Sequence, residues 1–243
     1  MSKATTTKKK KTTTDGDQIA FRGFERDAMQ FWHELAAEMS KEWFAANKPR
    51  YQAVWVEPML ALLRTVARGL APAYRPLTLA EPGVLRIHRD LRFSKDKTPY
   101  KTHIAAIIRL AGRPIAQSGN AALYFHLGLD GEYAGAGCYE LDAARTARWR
   151  RAVVGSPGAA LLRIMASLRR KGYEPGGYEY YARVPKGFAP DHPRAELLKY
   201  KGLICRFPAM PAGLVHRPAL ARWLLTHAKA TAPLVIWCHE NLG

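Results

Sequence analysis

The hydrophobic period of this chain changes twice, and that constrains the architecture more than any other feature. Phe24, Ala28, Phe31, Leu35, Met39 and Trp43 recur at spacings of three and four, which predicts a helix over Phe24 to Ala46. A second run from Tyr51 to about Leu70 gathers Val54, Met59, Leu62, Leu63 and Val66 on one broad face. Asn47-Lys48-Pro49 should separate the two helices, and Pro58 predicts a kink or restart within the second. Past Val84 the period drops to two. Val84 to Phe93, Lys101 to Leu110, Leu123 to Leu129 and Tyr133 to Tyr139 read as strands, joined by connections too short for crossover helices. A meander of antiparallel strands is expected.

Helical patterning then returns. Asp142 is placed to cap Ala143 to Val153, and Ser156-Pro157 to start a helix through Arg170, stopped by Gly172. Tyr178 to Val184 reads as a short strand whose tyrosines pack, Pro193 to Tyr200 as a short helix capped by Asp191, and Leu203 to Phe207 as a strand. Pro218 to Trp237 reads as a final helix that Pro233 breaks. Helices, strands, then helices is the order of an α+β domain. The expected fold is a central antiparallel sheet with N-terminal and C-terminal helices packed mainly on one face. It occupies residues 19–243 as one domain, behind a Thr/Lys-rich tail, residues 1–18, too poor in apolar residues to order itself.

Several function classes are excluded by reading. The longest apolar run is seven residues, Ala232 to Cys238 with Pro233 among them, against roughly 20 for a membrane span. Cys138, Cys205 and Cys238 are odd in number and never spaced as CxxC, so neither a disulfide framework nor a cysteine metal site is indicated. The N-terminus has no apolar signal segment, so the expected compartment is the cytoplasm. His33-Glu34 is followed by Ala37 where a zincin needs its second His, and Gly135-Ala-Gly137 lacks the third small residue of a dinucleotide fingerprint. No P-loop and no nucleophile elbow is present.

Charge is the positive signal. The chain carries 38 Lys and Arg against 20 Asp and Glu, a formal +18. This charge is concentrated in the tail, in Arg86 to Lys101, and in an acid-free stretch from Arg145 to Lys171. In the second segment Arg86, His88, Asp90 and Arg92 alternate onto one strand face, and the following turn adds Lys95, Asp96, Lys97, Tyr100 and Lys101, with Arg89 alongside. Guanidinium groups suit bidentate contact with phosphate or carboxylate, and lysines add point charge. Two readings stay open for this segment: an anion-binding site, and a solvated hairpin braced by its own ion pairs. In the third segment, Arg145, Arg148, Arg150, Arg151, Arg163, Arg169, Arg170 and Lys171 crowd two helices as if to meet a polyanion, or simply to coat a surface.

The run Arg86-Ile-His-Arg-Asp-Leu-Arg-Phe-Ser-Lys-Asp-Lys-Thr-Pro-Tyr-Lys-Thr-His103 closely resembles the signature of a widespread microbial family, domain of unknown function 2461. The similarity continues through Trp43 to Tyr51, Leu123 to Tyr139 and Val184 to Leu203. It spans the whole body from Phe21 onward. The resemblance implies no activity, substrate or cofactor. It does draw attention to Asn47, Lys48, Tyr51 and Phe93 beside Arg86, Arg89, Asp90, Arg92, Lys95, Asp96, Lys97, Tyr100 and Lys101.

The leading expectation is a binding protein for an anionic partner, nucleic acid or a phosphorylated molecule. Arg86, Arg89 and Arg92 would contact phosphate and the lysines close over it. The alternative is an enzyme acting on a phosphorylated or carboxylated small molecule, with Asp90 or Asp96 and His88, His103 or His192 as acid/base groups. A third reading is an interaction module whose basic hairpin is fixed by internal ion pairs.

Overall fold

The computed structural model describes residues 20–92, 96–112 and 120–243. The Thr/Lys tail, Phe93 and Lys95 lie outside them. The order of elements matches the change of period: helices α1 (Ala28–Glu38), α2 (Lys41–Tyr51) and α3 (Glu57–Leu70), then strands β1 (Gly83–Val84), β2 (His103–Arg109), β3 (Asn120–Gly128) and β4 (Gly131–Cys138). Helices α4 (Ala143–Val154) and α5 (Ser156–Arg170), strand β5 (Glu174–Gly177), helix α6 (Ala195–Leu198), strand β6 (Leu203–Arg206) and helix α7 (Ala219–Leu242) follow. All six strands form one antiparallel sheet in the order β1-β2-β3-β4-β6-β5. The fold is α+β around this sheet.

Alternation along the strands sorts the two faces. Ile104, Ala106 and Ile108 of β2, Leu123, Phe125 and Leu127 of β3, and Ala134 and Ala136 of β4 join α1, α3 and α7 in one core. That core is rich in rings: Phe31, Trp32, Trp55 and Tyr74 are fully or almost fully buried. Cys138, Leu203 and Cys205 continue the same face into a second cluster under α4, α5 and the end of α7. All the long helices therefore cover one side of the sheet.

Several local expectations are corrected. The first helical run breaks at Met39, which takes a left-handed conformation at φ 43°, and Ser40 restarts it by accepting from Trp43 N at 3.1 Å. Pro49 consequently lies inside α2. The restart at Pro58 takes the form of a π-helical turn, Gln52–Val56, just ahead of α3. A wider turn relieves the clash between the proline ring and the carbonyl four residues earlier. Pro233 does not break α7, since it faces solvent while Leu234 and Val235 beside it are buried. The last strands also move. The ladder uses Glu174–Gly177 rather than Tyr178 to Val184, of which only Tyr180 makes a bridge, to Tyr200. Tyr178, Tyr180 and Tyr181 are exposed rather than packed inside. Helix α6 begins at Ala195 and is not capped by Asp191.

The largest departure is at the basic segment. Only Gly83 and Val84 make a ladder with β2; beyond them the chain forms an irregular arm closed by one bridge, His88 to Tyr100. Short acidic side chains compete for its backbone: Asp90 accepts from Arg92 N at 3.2 Å and Asp96 from Thr98 N at 2.9 Å. Such local bonds offer the chain an alternative to a sheet ladder.

Candidate functional site

The described parts of the arm, residues 85–92 and 96–101, are braced from within. Asp90 receives both Arg86, at 3.2 Å, and Arg92, at 2.9 Å. The side chain and backbone of Arg92 hold the Asp90 carboxyl well below the usual carboxylate range. Arg89 pairs with Asp96 at 2.9 Å, and Lys97 and Lys101 donate to the carbonyls of Leu91 and Arg86. Tyr100 is buried, its ring 4.5 Å from Phe44 of α2, and His88 sits against both. Arg86, Asp90 and Arg92 thus form one exposed cluster, and Arg89 and Asp96 a second. Lys97 lies on the arm, and Lys101 leads into β2. Of the other residues singled out by resemblance, Asn47 donates to Trp43 O along α2, and Tyr51 packs among Phe31, Trp32 and Phe44.

The acid/base candidates are not brought together. Asp90 and Asp96 bind arginines, His88 packs on aromatic rings, and His192 accepts from Arg194 N. The acid-free stretch is also partly turned inward. Arg145 is buried beside Asp142, Arg148 donates to Leu242 O, Arg150 lies over the Tyr181 ring, and Arg169 reaches Pro175 O.

What the structure does assemble lies on the other side of the sheet. With the long helices on one face, the outward positions of β2, β3, β4 and β6 floor a cavity of about 650 Å³. Its floor is low because Gly135 and Gly137 project no side chain. Gly137 has φ +127°, and a Cβ there would lie 2.3 Å from Leu203 O, so the position requires glycine. Tyr124, Tyr133, Tyr139 and Tyr178 wall the cavity, with the Tyr139 and Tyr178 rings 4.1 Å apart. Arg109 and Arg206 supply its positive charge. Among the described residues neither makes an ion pair, although Glu174 is the cross-strand neighbour of Arg206. Burial lowers the Arg109 pKa and raises those of Tyr124 and Tyr139, so these phenols are neutral donors at neutral pH. The arm meets the cavity at Leu85, which lines it.

Beside this cavity, His103 of β2 and His126 of β3 converge on Asp130 in the β3–β4 turn. His126 Nε2 lies 2.7 Å from Asp130 Oδ1, and His103 Nδ1 lies 3.2 Å from Oδ2. The imidazole rings are 4.0 Å apart. Burial and the neighbouring His126 push the His103 pKa down to about 4, so His103 is neutral at pH 7 and its contact with Asp130 is a hydrogen bond, not an ion pair. Burial works against the Asp130 charge, but His126 and His103 hold its carboxyl below the usual value.

Sequence reading picked out His103 but missed His126, Asp130, Arg109, Arg206 and the tyrosine wall. The signal was present as parity. Tyr124, His126 and Tyr133 all sit on the strand positions opposite the Leu/Phe/Ala face, where a solvated sheet would carry small charged residues.

A family model described as conserved hypothetical protein (DUF2461) matches residues 27–237. No curated protein and no solved structure matches the chain. No described helix is long and apolar enough to cross a membrane.

Proposed function

The chain belongs to the DUF2461 family, and from the geometry its sequence builds we propose that it binds a small molecule bearing an anionic group and a flat ring. The single observation behind this reading is the placement of Arg109 and Arg206 in a tyrosine-walled cavity on the sheet face opposite the helices. Its volume, about 650 Å³, is in the range of small-ligand pockets, and an apolar wall with a few polar groups is the usual composition of one. The tyrosine rings offer stacking surface and hydroxyls; the guanidinium groups offer paired donors for phosphate or carboxylate. In this reading Arg86, Arg89, Asp90, Arg92, Asp96, Lys97, Tyr100 and Lys101 form a basic arm beside the mouth. The arm steers anions by its field, since its ion pairs already use part of its contact capacity.

Calorimetric titration with adenosine monophosphate, at about 50 mM and about 200 mM salt, tests the proposal, with a single-stranded RNA homopolymer as second probe. The nucleotide should bind one to one, and Arg206→Ala should weaken it at least tenfold, about what a lost charge-assisted hydrogen bond costs. Arg92→Ala should change only the salt dependence. If the nucleotide does not bind and the homopolymer binds with a salt slope that Arg92→Ala reduces, the ligand site is the arm and the cavity proposal is wrong.

A further inference from the structure

The convergence of His103, His126 and Asp130 supports an inference independent of the cavity's ligand. We propose that these three residues bind a divalent transition-metal ion of the zinc class. One donor atom from each residue lies within 4.8 Å of the other two. Metal–ligand bonds of 2.0–2.2 Å in a tetrahedral site place neighbouring donors roughly 3.3–3.6 Å apart. The two nitrogen–oxygen separations, 2.7 Å to Oδ1 and 3.2 Å to Oδ2 of Asp130, are both shorter than that, so the nitrogens and the carboxylate draw apart by a few tenths of an ångström to admit an ion. Two imidazole nitrogens and one carboxylate oxygen are the donor types that zinc accepts, and three protein ligands leave a fourth position for water or a ligand group.

Support around the donors is of the kind a metal site needs. His126 is 1% exposed, its ring stacked on Tyr133 at 4.3 Å, while its Nδ1 lies 3.3 Å from the Tyr124 hydroxyl. Without an ion, Nε2–H donates to Asp130; when an ion takes the Nε2 lone pair, the proton sits on Nδ1, where the Tyr124 hydroxyl oxygen is placed to accept it and hold the ligating tautomer. The two histidines are held on adjacent strands by the β2–β3 ladder, where His126 faces Ala105 and His103 faces Gly128. The half-exposed Asp130 leaves a path from solvent. Tyr124 and Tyr133 also line the cavity, which places the ion one ring away from the proposed ligand.

Untagged full-length protein, stripped with chelator, is titrated with zinc by calorimetry and with cobalt by absorbance. One equivalent of zinc should bind, and cobalt should give the visible band of a four-coordinate site. Asp130→Asn, at an exposed turn and nearly isosteric, should fold normally and weaken zinc at least tenfold, whereas Tyr124→Phe should weaken it about tenfold by releasing the His126 tautomer. The tail residues contribute no His or Cys, and His88→Ala should leave binding unchanged. Absence of one-to-one binding in the native chain overturns the proposal. So does equal affinity in Asp130→Asn, which would place the ion on other histidines. Neither result bears on whether adenosine monophosphate occupies the cavity.

Discussion

Gly128 lies directly across the ladder from His103, and a Cβ placed on the glycine would come within 2.2 Å of the His103 Cβ and 2.6 Å of Thr102 O. The absent side chain is what lets His103 swing over the end of β3 toward Asp130. Gly128→Ala should therefore cost about 1–3 kcal/mol, the usual cost of overpacking where backbone must move. Urea unfolding measures it. Gly83→Ala is the comparator, since its added Cβ meets nothing within 4 Å, and it should change stability by less than about 0.5 kcal/mol.

Alkaline stability should depend on Tyr51. Burial pushes its pKa up to about 12, whereas in the unfolded chain it ionises near 10. The neutral phenol favours the folded state, so this contribution is fully present below pH 10 and is lost as pH rises toward 12. Thermal melts across that interval should fall more steeply for the native chain than for Tyr51→Phe. Parallel curves would remove Tyr51 from the account.

At the acid end the relevant group is Asp90, whose carboxyl is held low by Arg92 and Arg86. A depressed carboxylate contributes stability above its unfolded pKa near 4, and the contribution disappears as pH falls through the folded value. Asp90→Asn should be slightly less stable than the native chain at pH 7 and converge with it in strong acid. Because the cluster is exposed, added salt should shrink the difference.

The three cysteines should be silent in the folded protein. All are buried, and burial raises the Cys138 thiol to about 11 and the Cys205 thiol to about 12. Since the thiolate is the reactive species, a thiol-specific colorimetric reagent at pH 8 should label none of them until denaturant is added, and then all three. Fast labelling of the native chain would mean that the sheet opens readily near Cys205, which borders the cavity.

Much of the fold was legible in the residues because its signals are local. The three-and-four spacing of Phe31 and Leu35, the cap of Asp142 on Arg145 N at 2.8 Å, and the stop at Gly172, with φ +81°, depend only on near neighbours. Pro233 and Pro49 misled for a related reason: proline disfavours a helix locally, but α7 is held by buried side chains on both sides of Pro233. Strand β5 was displaced because Pro175, Gly176 and Gly177 have no intrinsic preference for a strand. Only the partner β6 makes them one.

The candidate site divides the same way. The basic arm is contiguous in the chain, so its composition, its acids and its resemblance to the family signature could be read directly. The cavity and the His103–His126–Asp130 convergence draw on four strands and a turn, and no window of sequence contains them. By itself, the sequence determined the α+β order, the antiparallel meander and the location of the charge. Only the tertiary structure decided which sheet face the helices leave uncovered, because that depends on summed burial across the whole core. Once that face was chosen, strand alternation sent Arg109, Tyr124, His126, Tyr133 and Arg206 to the opposite side together.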